Sequence, residues 1–189
     1  MLTINKLIPR GQGLAAALLK RAPEVVLDWD TRQKSRFDAR DSQERVLAVF
    51  LPRGSTVRGG DVLVAEDGSL LRVVAAEQAL LEVRACAEHG SPFDLMRAAY
   101  HLGNRHVQLE LQKDRLLLEP DHVLADMLRQ MHLEVAEVKA AFEPEAGAYG
   151  GEGQGHQHGH GHGHAHAAPK PIGIKIAAAP HVHGPGCKH

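Results

Sequence analysis

The sequence predicts an α+β chain in three parts. Residues 1–76 form a small β-rich domain, residues 77–145 a ferredoxin-like βαββαβ domain, and residues 146–189 a disordered histidine-rich tail. Three observations carry this. Short alternating apolar runs separated by glycine turns fill the first part. In the second, the apolar period switches repeatedly between two and 3.6 residues. In the third, apolar periodicity stops, and glycine, histidine, alanine and proline take over.

In the first part, "EVVLDWD" alternates Val25, Leu27 and Trp29 against Asp28 and Asp30, as a half-buried strand does. "VLAVFL", from Val46 to Leu51, is apolar on both faces and suits a central strand. Gly59-Gly60 and Asp67-Gly68 punctuate the short β-prone runs of "VRGGDVLVAEDGSLLRVV". Both pairs tolerate positive φ, so they read as turns.

The second part begins with the strand pattern "ALLEVRAC". "SPFDLMRAAYHLGN" then opens a helix with Ser91 as N-cap and Pro92 at the first helical position. It places Phe93, Met96 and Tyr100 on one face and stops at Gly103. "HVQLELQ" alternates Val107, Leu109 and Leu111, and "RLLLEP" follows. Asp121 caps "HVLADMLRQM", where Leu124, Met127, Leu128 and Met131 fall on one helical stripe. "LEVAEVKAAFE" closes as a strand, completing the β-α-β-β-α-β order.

The formal net charge is −1, which gives the chain as a whole no drive toward nucleic acid or an anionic membrane. Its apolar runs are too short and interrupted to span a bilayer. The opening "MLTINKLIPRGQGLAAALLKR" lacks the apolar core and small-residue cleavage site of a secretory signal. Cys86 and Cys187 form no CxxC pair, and the expected location is the cytoplasm. Phosphate-binding-loop, nucleophile-elbow and zinc-protease motifs are absent. Of the two cysteines, only Cys187 is read as having a histidine close in sequence. The carboxylates form no pair, so the chain reads as a binding protein and not an enzyme.

The tail carries the most specific chemistry. His156, His158, His160, His162, His164 and His166 recur every second residue, interleaved mainly with glycine, and His181, His183, Cys187 and His189 form a looser second group. Neutral imidazole suits nickel, copper and zinc. Glycine between ligands removes the steric cost of bending them toward one ion. Nine of the 14 histidines lie in this tail, so the richness is local. Such exchangeable ligands suit capture and hand-off better than a closed structural site. Over about fifteen residues the chain roams on the order of 20 Å from its root. Protonation of imidazole competes with ligation, so loading of the tail should fall between about pH 7 and pH 5. An affinity tag is also histidine-rich, but tags are uninterrupted terminal runs; a solvated tail without duty is the other reading.

Five histidines precede the tail: His89, His101, His106, His122 and His132. By spacing alone, His106 is a lone side chain just past a helix end, by default a satisfied polar group. His101, in the last helical turn, suits the helix C-terminus, and His89 and His132 fall in connections and read as solvated. Arg32, Lys34 and Arg36 in "DTRQKSRFDAR" share one face if extended. They either guard an edge strand or face an acidic partner.

"AYHLGNRHV" (Ala99 to Val107) followed by "EPDHVLADMLRQ" (Glu119 to Gln130) resembles the UreE family of urease accessory proteins. "PRGSTVRGGDVLVAEDG" (Pro52 to Gly68) is similar to the pattern of that family's first domain, and the likeness covers residues 1–145. The resemblance implies a nickel metallochaperone of urease maturation, with zinc or copper suiting the same ligands. It implies that the histidine of "GNRH", His106, is the principal ligand and meets its mate at the two-fold axis of a homodimer. The implied partners are other urease maturation proteins, including the pathway GTPase, and the urease apoprotein complex. His122 matches a histidine that binds metal peripherally in some members. Those members carry a further histidine just before Asp121, where this chain has Pro120. Asp121 serves equally as a helix cap, so a peripheral site of His122 and Asp121 stays open. Gln108 stands where the resemblance leads one to expect proline. The rival readings are a metal buffer working through the tail alone and a peptide-binding chaperone working through the first domain.

Overall fold

The computed structural model describes residues 1–146, which carry two β-sheets. The first is built from β1 (Leu2–Ile8), β2 (Glu24–Leu27), β3 (Arg36–Arg40), β4 (Val46–Phe50), β5 (Val62–Ala65) and β6 (Leu70–Ala75), in the order β2-β6-β5-β1-β4-β3. β1 runs parallel to β4 and β2 parallel to β6; the other neighbours are antiparallel. Ile4, Val25, Leu47, Leu63 and Leu71 are fully buried in the core of this sheet. The two glycine turn signals are used as their chemistry allows: Gly60 has φ 86° and Gly68 φ 83°. The Asp67 carboxylate accepts from Ser69 N at 2.8 Å, closing the turn between β5 and β6.

Two elements are not legible in the alternation. β1 sits in the middle of the sheet, yet a register shift between Ile4 and Lys6 breaks its period, so no clean alternation survives. The short helix α1 (Ala16–Arg21) has no fully buried residue and therefore no apolar stripe.

Two expectations in this part are corrected. "EVVLDWD" is a strand only to Leu27. The Asp28 carboxylate accepts from Thr31 N at 2.8 Å and starts a helical turn, α2 (Trp29–Arg32). Trp29 is buried because that turn directs it toward the second sheet, not because the strand continues. For the same reason Arg32, Lys34 and Arg36 do not share a face. Arg32 ends the helical turn and is fully buried, whereas Lys34 and Arg36 are exposed.

The second sheet has four antiparallel strands in the order β10-β7-β9-β8. They are β7 (Glu77–Ala85), β8 (Glu110–Leu111), β9 (Leu116–Leu118) and β10 (Leu133–Ala141). Helix α3 (Pro92–Gly103) follows β7, and helix α4 (His122–Gln130) follows β9. Ala98, Leu102, Ala125 and Leu128 of the helices pack on Leu81, Val83, Leu116 and Leu118 of the sheet. Leu80 and Leu117 point to the opposite face and pack with Trp29 and Phe142. The three leucines of β9 are therefore buried on both faces, which their unbroken apolar run reflects.

Two more differences bear on the site. "HVQLELQ" contributes only Glu110–Leu111 to the sheet, because Val107 is still engaged in the end of α3. Phe93, Met96 and Tyr100 do share a face of α3, but it is the open one: they are 61%, 64% and 66% exposed. The small side chains Ala98 and Ala99, with Leu95 and Leu102, take the core side and let the helix lie close to the sheet.

Candidate metal centre

α3 begins where Asp94 reaches back to Ser91, accepting from its N at 2.8 Å and its Oγ at 2.9 Å. These bonds hold the Asp94 carboxyl below its usual range. The helix ends in a tight cap. His106 N donates to Gly103 O at 2.9 Å, and Val107 N donates to Leu102 O at 3.1 Å. This is the two-bond termination in which the residue after the cap adopts the left-handed conformation, a place glycine usually takes. Here it is His106, at φ 57°. Val107 packs back against the cluster containing Leu102, which locks the termination. The result is an exposed imidazole on a short, well-fixed loop.

A conformation unfavourable to a side chain with a Cβ persists only where its surroundings impose it, and such positions cluster at functional sites. The conformation alone does not single out His106, since His132 at the end of α4 has φ 62°. What distinguishes His106 is its setting at the end of the helix that carries the open apolar face.

The other candidates are placed as follows. The Asp121 carboxylate accepts from Leu124 N at 2.9 Å, so it caps α4, with His122 exposed at the first helical position. His101 lies in the last turn of α3 with its ring against Tyr100, centroids 5.4 Å apart. His156, His158, His160, His162, His164, His166, His181, His183, Cys187 and His189 lie outside the described residues. Cys86 corrects the reading that only the tail cysteine has a histidine close by. His89 is three residues on, and its Nδ1 stands 4.0 Å from the Cys86 Sγ. Both border a cleft of about 600 Å³ with Met131, His132 and Glu134. The Cys-x-x-His spacing was the available signal, and the turn that closes it depends on Gly90 N bonding to Cys86 O at 2.8 Å.

Among the described residues, no three His, Cys, Asp or Glu side chains converge to hold a metal ion. One imidazole is a single donor, whereas zinc or nickel sites take four or more. The donor chemistry of His106 fits such an ion only if further ligands come from outside the described part of this chain.

Around the loop, charge is concentrated where the two sheets meet. The Arg32 guanidinium donates to Leu27 O at 3.2 Å, Phe142 O at 2.5 Å and the Glu143 carboxylate at 2.7 Å. Burial pushes this guanidinium down from its ordinary range, and Glu143 opposes that. Arg58 bonds Glu143 and the carbonyl of Pro144 and lies over the Trp29 ring. These groups fix the segment leading into the tail. Glu145 N donates to Leu109 O at 2.7 Å, three residues beyond His106.

No helix among the described residues is long and apolar enough to cross a membrane. Residues 4–76 match the family model described as UreE urease accessory protein, N-terminal domain, and residues 78–167 match the corresponding C-terminal domain model. A urease accessory protein UreE from Methylibium petroleiphilum is 77% identical over 150 residues, covering 79% of this chain and 69% of its own. Proteins of the same name from a Polaromonas species and from Albidiferax ferrireducens are 63% and 59% identical. Both alignments cover all of this chain, and they cover 90% and 99% of the relatives. With both domain models matched and relatives alike from end to end, the chain belongs to the UreE family of urease accessory proteins, which assist urease maturation and are not enzymes.

Proposed function

We propose that this chain is a nickel-binding metallochaperone of the cytoplasm that delivers Ni(II) for assembly of the urease centre. Its second domain, residues 77–145, is read as a ferredoxin-like frame, a reading supported by the β-α-β-β-α-β order and the β10-β7-β9-β8 sheet. Two chains associate so that His106 of each meets the other at a two-fold axis, where symmetry doubles a donor that is inadequate alone. The observation that carries this is the pairing of an exposed, conformationally constrained His106 with the open apolar face of Phe93, Met96 and Tyr100 on the same helix. A monomer gains nothing by exposing that face, whereas a self-complementary interface buries it.

The tail gathers ions through His156, His158, His160, His162, His164 and His166, with His181, His183, Cys187 and His189 as looser ligands. Its root is bonded to Leu109, which supports hand-off to His106. His122 and Asp121 are a secondary site at most, since the Asp121 carboxylate is engaged in capping α4. The recipients are the maturation GTPase and the urease apoprotein complex, engaged in part through the first domain, residues 1–76.

Equilibrium dialysis against Ni(II) tests this. Removing residues 150–189 should lower the number of ions bound but leave one tighter ion per pair of chains. His106→Ala should abolish that ion and impair urease activation. If the shortened chain binds no metal, the two-site reading fails. The concentration of nine histidines in the tail favours one rival, a metal buffer. A pull-down that recovers no urease maturation protein would favour it.

A further inference from the structure

The loop that carries His106 is held from a second direction, by the first part of the chain. Gln108 lies two residues beyond His106, and its side chain bridges outward. Trp29 Nε1 donates to Gln108 Oε1 at 2.5 Å, and Gln108 Nε2 donates to Gln33 Oε1 at 2.8 Å. The anchor at the far end is rigid. Trp29 is buried, its backbone N donates to the side-chain Oε1 of Gln78 at 3.0 Å, and its ring meets Phe142 edge-on with centroids 6.0 Å apart. The guanidinium groups of Arg32 and Arg58 lie 5.1 Å and 4.8 Å from the ring centroid.

On the near side, Val107 and Leu109 pack into the second core, so Gln108 is the outward-facing residue between two fixed ones. A short loop clamped at its start by the helix cap and beside Gln108 by this bridge has little freedom left. That matters for a ligand whose ion is shared, because the bound geometry must exist before the ion arrives.

We propose that Gln108 is a positioning residue for the metal held at His106. It tethers the loop to Trp29 and Gln33, so that the first domain, which contributes no ligand, sets how firmly the ion is kept. The inference rests on the reading of His106 as the metal ligand. It makes the helical turn α2 part of the metal site without contact to the ion, and it gives a partner that grips the first domain a mechanical route to that ion.

The test uses the full chain with Ni(II) alone, loaded to one ion per two chains and competed with a chelator of known strength. The variants are Gln108→Leu, which breaks both bonds, Trp29→Phe, which keeps an aromatic side chain but loses the donor, and Gln33→Glu, which keeps an acceptor for Gln108. If loosening leaves the loop competent only part of the time, Gln108→Leu and Trp29→Phe should weaken the tight ion by about three- to tenfold. The pH at which that site half-loads should move upward, since a weaker site competes less well with protons. Gln33→Glu should bind as the parent does, and the number of weaker ions should not change in any variant.

Retention by Gln108→Leu and Trp29→Phe within about twofold of the parent overturns the proposal, because a loop that stays competent has lost nothing. Equal weakening by Gln33→Glu also overturns it, since the bridge would then not be the cause. Should Gln108→Leu fail to fold, Trp29→Phe and Gln33→Leu carry the same comparison. His106→Ala separates the two levels. If it keeps the tight ion, the reading of His106 fails; if it loses the ion while Gln108→Leu does not, only the tether fails.

Discussion

A histidine at φ 57° strains the backbone in a way that glycine does not, because its Cβ crowds the neighbouring carbonyl. His106 occupies the one position of the α3 termination that glycine would fill best, and on the proposed reading the imidazole is placed there at a cost in stability. Replacing it separates the two demands. In the metal-free protein, His106→Gly should raise unfolding stability by about 1 kcal/mol, whereas His106→Ala should not, since alanine keeps the strained Cβ. On the proposed reading of His106 as the ligand, both should lose the tight metal ion. Urea unfolding of the two variants checks this, and equal stabilities would mean that the termination carries no strain. Spacing marked this residue only as a lone histidine past a helix. Its positive φ goes with two backbone bonds, one of them to the carbonyl of Leu102, a residue buried in the second core, and spacing along the chain does not show that burial.

At the scale of elements, the connection from β7 to α3 shows how a local sequence serves a tertiary need. Ser91, Pro92 and Asp94 begin the helix by capping chemistry that is readable residue by residue. Gly90, just before them, is required for a different reason. A Cβ there would stand 2.4 Å from Cys86 N and 2.5 Å from Cys86 O, both of them backbone atoms that cannot swing away. Gly90→Ala should therefore destabilise the chain by about 1–3 kcal/mol, measured by urea unfolding, and loosen the turn that holds Cys86 beside His89. A wild-type-like variant would show that this turn has room to shift. The face of α3 is the counter-example in legibility. Phe93, Met96 and Tyr100 are aligned by helical spacing, yet smaller side chains take the core side. Periodicity finds a stripe but does not say whether this chain or another covers it.

At the scale of the whole molecule, the two sheets are tied, among the described residues, by one fully buried cation beside an apolar contact. Arg32 is fully buried, and its guanidinium links Leu27 to Phe142 and Glu143 at the end of the second sheet. Removing it strips the Leu27 and Phe142 carbonyls of a buried donor and takes one of three donors from Glu143, whose side chain is 33% exposed. Arg32→Leu should cost about 3 kcal/mol by urea unfolding, somewhat relieved because Glu143 keeps its bonds to Arg58 and Gly59. A loss of less than about 1 kcal/mol would place the adhesion in the apolar contact of Trp29, Leu80, Leu117 and Phe142 and in the bonds of Arg58, Gly59 and Gln108.

By itself the sequence determined what depends on neighbours along the chain. That includes the caps and limits of α3 and α4 and the turns at Gly60 and Gly68. Only the tertiary structure decided what depends on residues far apart in number. It put the bulged β1 at the middle of its sheet, turned Arg32 from a surface charge into a buried link, and left the aromatic face of α3 open. It also brought Trp29 and Gln33 to the loop of His106. The reason is physical: capping and turn propensities act over a few residues, whereas burial and long-range hydrogen bonds are settled only when the sheets pack.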